Sequence, residues 1–514
     1  MRILFLSAAI AVALSLPVSA ADYSLTVYSA AQPGSLSTER LADYGDRLPG
    51  YALVRDRREM SLPQGAGEVR FSDVAKRIDP TTVSFASLTD PSGTRVIEQN
   101  YQYDLVDSQK LLQRYLGQQI TVERLRGEQS DRISGRLLSA TGGLILARED
   151  GSVLTLNSWS NVEFPALPGG LMSKPTLVWT LDAQHGGKHD AQVSYQTQGM
   201  TWWTDYNATL SGTAGVCKLD LQAWVSLVNQ SGASYPNAQL KQVGAGMGNK
   251  AGYGCLNAYR KRVAGGRNRA PPPAERVVYD MPVPMAAPAP AAASFAESEL
   301  FEYHLYTLGR RTDLPDNSVK QLELFPAILG AECQRELVFT ASPQPYYWSG
   351  PNLDQSFAAT QKGEVNAYLL FDNKESNRMG LPLPGGRVRV NQQNAVDGSL
   401  EFIGEDLIEH TPRGETLRLT LGKSFDVVGE RKQTAFAYDE KARRIVEEFE
   451  IELRNGKKTA VDLTLREYLY RWSDWKISNA SQAYQKQDAK TIDFAVSVPA
   501  EGKRTVRYSV AYQW

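Results

Sequence analysis

Residues 449–456 read Phe449-Glu450-Ile451-Glu452-Leu453-Arg454-Asn455-Gly456. Apolar and charged side chains alternate strictly over six positions, and a turn-forming pair follows. A period of two places one face of an extended strand in a core and the other in water. Outward from this stretch the same beat returns at Leu25 and Val27, Val83 and Phe85, Trp179 and Leu181, and Val193 and Tyr195. It continues at Phe301, Tyr303 and Leu305, and at Ile492, Phe494 and Val496. Turn formers interrupt it at short intervals, at Gly186-Gly187 and Pro384-Gly385-Gly386 among others. Asn455-Gly456 and Asp150-Gly151 predict tight hairpins, because both central positions of a type I′ turn require positive φ. The pattern predicts a mainly β protein of antiparallel sandwiches, with few helices.

One segment departs from this beat. Leu111, Leu112, Tyr115 and Leu116 follow helical spacing, with Asp107 or Ser108 as the cap and Gly117 as the stop. Five short strands then run to Pro165, so residues 107–166 predict a small SH3-like or Sm-like barrel. Residues 21–106 form an N-terminal β region, 167–262 the first part of a sandwich and 300–514 a C-terminal sandwich region. Between the last two, residues 263–299 are rich in Pro and Ala and read as a linker or insertion. No internal repeat of fixed period stands out.

Met1-Arg2, an apolar run from Ile3 to Leu16, and Val18-Ser19-Ala20 describe a secretory signal peptide over residues 1–20. No Cys adjoins the expected cut, which argues against a lipid anchor, and no later stretch is apolar enough for a transmembrane helix. A periplasmic or otherwise exported chain is expected. Of 514 residues, 56 are Lys or Arg and 57 Asp or Glu, so nothing in the overall charge attracts nucleic acid. Cys217, Cys255 and Cys333 allow at most one bridge within a monomer, and Cys217 with Cys255 is the expected pair by proximity in sequence.

Motifs for metalloprotease, serine hydrolase or dinucleotide chemistry are missing, and no cofactor is expected. Gly422-Lys423-Ser424 resembles the end of a phosphate loop, but it is flanked by strand patterns on both sides. His185 and His189 bracket a Gly-Gly turn and read as exposed residues of a hairpin tip. The densest polar cluster contains Glu405, Asp406, Glu409, His410, Arg413 and Glu415. Carboxylates beside an imidazole suit acid–base or metal chemistry, so Glu405, Asp406 and His410 are the candidates for a polar site. Adjacent Trp202 and Trp203 point to opposite faces of a strand, so either one ring is exposed or, the reading we favour, both pack between sheets. Together with Tyr346, Tyr347 and Trp348 they are the candidates for ligand or partner contact.

Several strings resemble a known family. They are Thr197-Gln-Gly-Met-Thr-Trp-Trp-Thr-Asp-Tyr206, Leu227-Val-Asn-Gln-Ser-Gly232, Tyr235-Pro-Asn-Ala-Gln-Leu240, Gly380–Val390, Phe402–Glu415 and Leu421–Val427. Val54–Arg58 and Glu98–Asp104 add to them upstream. Together they are similar to a bacterial exported family built on a C-terminal domain of unknown function, which includes the mucoidy-inhibitor-type proteins. This chain lacks the long coiled-coil connector of the mucoidy-inhibitor type. The resemblance implies a Gram-negative envelope setting and a β-rich build, and it supplies no reaction. The expected function is a non-catalytic binding or structural module for an envelope protein or polysaccharide. The alternatives are a metal-assisted hydrolase using the 405–415 cluster, or an outer-membrane β-barrel, since Val506, Tyr508, Val510, Tyr512 and Trp514 alternate at the end of the chain.

Overall fold

A computed structural model describes residues 21–514 apart from 45–46, 103–105, 127–128, 167, 169–170, 172–173, 212–215, 245–294, 301–302, 345–349 and 395–396. The expected signal peptide, Cys255, Tyr346, Tyr347, Trp348 and most of the Pro/Ala-rich stretch lie outside the described residues. The chain is 65% strand and 4% helix. Among the described residues, mostly antiparallel strands form sheets of eight, five, three and thirteen strands, none closed into a barrel.

The eight-stranded sheet mixes residues from both sides of the small module. Gly50–Leu62 pairs with Gly187–Gln198, and Asp22–Ser29 lies parallel to Tyr235–Val243. The three-stranded sheet sets Thr176–Ala183 between Gly65–Ser72 and Thr94–Gln102. The described strands before the module and those from Thr176 to Val243 are therefore one body, and the module is an insertion between two paired strands. That body takes in the end of the expected 263–299 linker, because Phe295–Leu300 is a strand that pairs with Tyr303–Leu308 in the same sheet.

The module begins with the helix Ser108–Arg114, whose cap is Asp107 accepting from the Lys110 amide at 2.8 Å. Gln119–Arg126, Gln129–Ser139, Leu144–Ala147, Val153–Leu156 and Asn161–Glu163 follow, with the last strand beside the first. Ile120, Val122, Leu137, Leu144, Leu146 and Leu156 form its core. The fourth and fifth strands do not pair, so the expected barrel is an open five-stranded sheet. Asp150-Gly151 does sit in a hairpin loop. Only Gly151 takes positive φ (81°), while Asp150 accepts from the Ser152 amide, so the two-residue type I′ form is not used.

Three long strands, Ser318–Thr340, Thr360–Asp372 and Thr416–Asp439, run through two hydrophobic cores. Leu322, Leu369 and Leu417 belong to the larger core of the first body. Phe339, Val365 and Val427, on the same strands, belong to a second core with Phe449, Phe494 and Tyr508. These strands are thus shared by two sandwiches. Gly502–Gln513, the last strand, lies between Arg444–Asn455 and Trp475–Ala480, with Val506, Tyr508, Val510 and Tyr512 buried.

The two sandwiches repeat one piece of architecture. Asn229, the last residue of Cys217–Asn229, donates from Nδ2 to the carbonyls of Ala233, Leu314 and Pro315, and its Oδ1 accepts from the Ser231 amide. Asn455, the last residue of Arg444–Asn455, donates to the carbonyls of Thr459, Val498 and Pro499, and accepts from the Lys457 amide. Asn229 pairs in register with Ser318 and Asn455 with Gly502, just after left-handed Asn317 and Glu501. Asn455-Gly456 is consequently not the predicted hairpin. Its carboxamide satisfies carbonyls across the sandwich, and the next strand, Val461–Tyr468, joins different partners.

Candidate binding groove

The polar cluster does not converge. Asp406 accepts from the Leu407 amide at 2.8 Å and from the Thr420 amide at 2.7 Å. Its carboxylate thereby bridges two strands, Leu400–Ile408 and Thr416–Asp439, that do not pair with each other. Glu405 lies 3.7 Å from Arg389, His410 accepts from the Gly385 amide at 3.2 Å, and Arg413 pairs with Glu297 at 2.9 Å. Each side chain turns to a different partner, because neighbours on a strand face opposite ways. Among the described residues no three of His, Cys, Asp and Glu gather as a metal site would require. Asp406→Ala should cost about 2–3 kcal/mol of stability through two lost charge-assisted bonds, measured by urea denaturation. Asp406→Asn, which keeps an acceptor, should recover part of that loss.

Both tryptophans are interior, as the packed alternative has it, so neither offers an exposed ring for contact. Trp202 is 2% exposed and donates to the Val243 carbonyl at 3.1 Å. Trp203 is 7% exposed, packs with Leu36, Leu41 and Leu48, and donates to Asp205 at 2.7 Å. The 36–48 segment covers the face that alternation would leave wet. The predicted Cys217–Cys255 bridge is also corrected: Cys217 is bonded to Cys333, its register partner across two antiparallel strands with Cα atoms 5.0 Å apart. Spatial neighbours in a sheet need not be neighbours in sequence.

The histidine pair is not a hairpin tip either, since Thr176–Ala183 and Gly187–Gln198 lie in different sheets. His185 is exposed and bonds Asp90 at 2.8 Å, which holds that carboxyl below its ordinary pKa. His189 is 3% exposed, with Ser87 Oγ 2.8 Å from Nδ1 and the His185 carbonyl 2.9 Å from Nε2. The Ser87 hydroxyl is itself buried, so this pair reads as wall structure.

Sequence reasoning missed the most deeply buried charges. Arg431 Nε donates to Glu467 Oε2 at 2.8 Å, and the Tyr508 hydroxyl donates to the same oxygen at 2.6 Å. Arg471 Nε lies 2.8 Å from Glu447 Oε2. All four charged side chains are sealed inside the second sandwich. Burial opposes the Arg431 charge, but Glu467 and the nearby phenols outweigh it and raise the guanidinium pKa well above its ordinary value. Both guanidiniums grip a strap over residues 352–358: Arg471 Nη1 donates to the carbonyls of Asn352 and Asp354, and Arg431 Nη1 to that of Ala358. These groups hold structure and face no solvent.

Among the described residues two open grooves stand out. One, of about 450 Å³, is lined by Arg57, Arg58, Glu59, Lys188 and Asp190 among others. Its charges are spent on one another, Arg57 with Asp190 and Lys188 with Glu59, while Arg58 pairs with buried Asp56. The other, of about 720 Å³, lies at one end of the first sandwich, where four chain segments meet: 76–80, Gln198, 230–232 and 316–317. Gly199 and Gly232 allow this meeting. Both take positive φ (81° and 83°), and a Cβ at Gly232 would fall 2.3 Å from Lys76 Cβ. Four backbone amides there are engaged: Arg77 N to Ser231 O, Gln198 N to Arg77 O, Gln230 N to Gly199 O, and Gly232 N to Asp316 Oδ1. Among the described residues the carboxamides of Gln198 and Gln230 and the ammonium of Lys76 have no protein partner, and they line the groove. Gln198, Gln230 and Gly232 fall within the strings Thr197–Tyr206 and Leu227–Gly232, which sequence reasoning did not read as a site. No family model matches the chain, and no curated protein matches it.

Proposed function

We propose that the protein is an exported component of a bacterial cell envelope, a non-catalytic module that binds an envelope partner or polymer in the groove between Lys76, Gln198, Gln230 and Asp316. The observation that carries this reading is a groove of about 720 Å³, within the range of ligand sites, where the carboxamides of Gln198 and Gln230 and the ammonium of Lys76 have no protein partner among the described residues. The apolar segment at residues 3–16 and the Cys217–Cys333 bridge support an oxidising, extracytoplasmic setting. The strings at 197–206 and 227–232 support kinship with the exported domain-of-unknown-function family. Mature chain beginning at Ala21 should co-sediment with isolated cell envelopes. Gln198→Ala with Gln230→Ala should reduce that binding roughly tenfold or more, for two or more lost hydrogen bonds. Undiminished binding by the double variant, with its melting temperature intact, would remove the groove from the account.

A further inference from the structure

Resting on that reading of the groove, we infer that its ligand is a hydroxyl-rich saccharide chain, held by side chains alone. The first support is what the groove offers. Each carboxamide presents both a donor and an acceptor, the inventory that matches a sugar hydroxyl, which is itself both. Ile78 and Pro80 are the apolar members of the lining, too little surface for an apolar ligand. A peptide joining a sheet edge needs free main-chain donors and acceptors. Here the amides of Arg77, Gln198, Gln230 and Gly232 are already bonded within the protein. Lys76 and Arg77 are balanced by Asp79 and Asp316, which suits a ligand with little net charge.

The second support is a comparison inside the molecule. Register places Met200 opposite Asn229 and Val427 opposite Asn455, so the end of the second sandwich repeats the framework of the groove. What the framework requires is kept in both: the asparagines, the prolines Pro315 and Pro499, and the left-handed residues Asn317 and Glu501. What lines the groove is not kept. Gln198 corresponds to Phe425, which is 95% exposed, Gln230 to Gly456, and Asp316 to Ala500. Asp316 has a structural role of its own, accepting from the Gly232 amide, but the same turns fold without the two glutamines, so the fold does not account for those carboxamides, and ligand contact does.

The test uses the full mature chain with soluble neutral polysaccharides and their oligosaccharides as probes, read by titration calorimetry and by chemical-shift changes at glutamine side-chain amides. A subset should bind, with Gln198→Ala and Gln230→Ala each weakening it about fivefold, the value of a neutral hydrogen bond or two. Gln230→Gly, which copies the second sandwich, should weaken it similarly while leaving the melting temperature within a few degrees. A parallel arm treats envelopes with glycan-cleaving enzymes or with protease before co-sedimentation. Binding abolished by glycan cleavage and spared by protease supports the inference. Groove-dependent binding that survives glycan cleavage and falls with protease overturns the saccharide while leaving the groove reading intact. Envelope binding indifferent to the glutamine variants overturns both.

Discussion

Substituting alanine for Glu467 should lower the free energy of unfolding by about 3–5 kcal/mol, the range for removing one partner of a buried ion pair. Glu467 is fully buried and receives both the Arg431 guanidinium and the Tyr508 hydroxyl. Without it Arg431 stays in the core, its ring-facing side 3.6 Å from the centroid of Phe449, with no counter-ion. Chemical denaturation gives the number directly. Replacing both partners, as Arg431→Met with Glu467→Leu, should recover most of the loss, because two desolvated charges leave together. A Glu467→Ala cost below about 1 kcal/mol would mean that water reaches the pair in the folded state. The neighbouring pair adds a pH signature. Burial, only partly offset by Arg471, pushes the Glu447 carboxyl above its ordinary pKa. The folded chain then holds this proton to higher pH than the unfolded chain does. Glu447 therefore makes folding less favourable as pH rises from the unfolded to the folded pKa, and Glu447→Gln should flatten that part of the stability–pH curve.

Opening the Cys217–Cys333 bond should cost up to about 4–5 kcal/mol, since a closed loop on the order of 100 residues removes that much chain entropy from the unfolded state. The bond spans 116 residues and joins Cys217–Asn229 to Ser318–Thr340, on either side of the Pro/Ala-rich stretch. Reduced wild-type protein and the Cys217→Ser/Cys333→Ser variant should melt at the same lowered temperature. Cys255→Ser should melt like the unreduced wild type. A Cys255→Ser variant that melts with the reduced protein would contradict the pairing.

Much of the architecture was legible in single strands. Phe449, Ile451 and Leu453 all face the second core, as their spacing required. The same spacing held an unread signal: Glu447 and Asn455 are in phase with those three residues, and Glu467 with Val461, Leu463 and Leu465. A charge on the inward beat of a strand is a buried charge, and its partner had to be sought on another strand. What a strand pattern cannot convey is which elements cover which face. Trp203 depends on the 36–48 segment, and Asp406 on a strand edge that only the assembled sheet brings near. Asn-Gly after alternating residues looks the same whether the chain turns back or crosses over. At Asn455 it crosses, because three carbonyls from elsewhere converge on the side chain. The groove is further still from local pattern, being assembled from four segments separated by dozens of residues or more.

Ser318–Thr340 and Thr416–Asp439 pass without interruption from one hydrophobic core into the other. Load applied at either end is thus carried along covalent main chain and shared across neighbouring ladders, with no pliable joint to absorb it. A cut between the halves would sever beams rather than a tether, and neither fragment would keep its walls. Heating should therefore melt both cores in one transition.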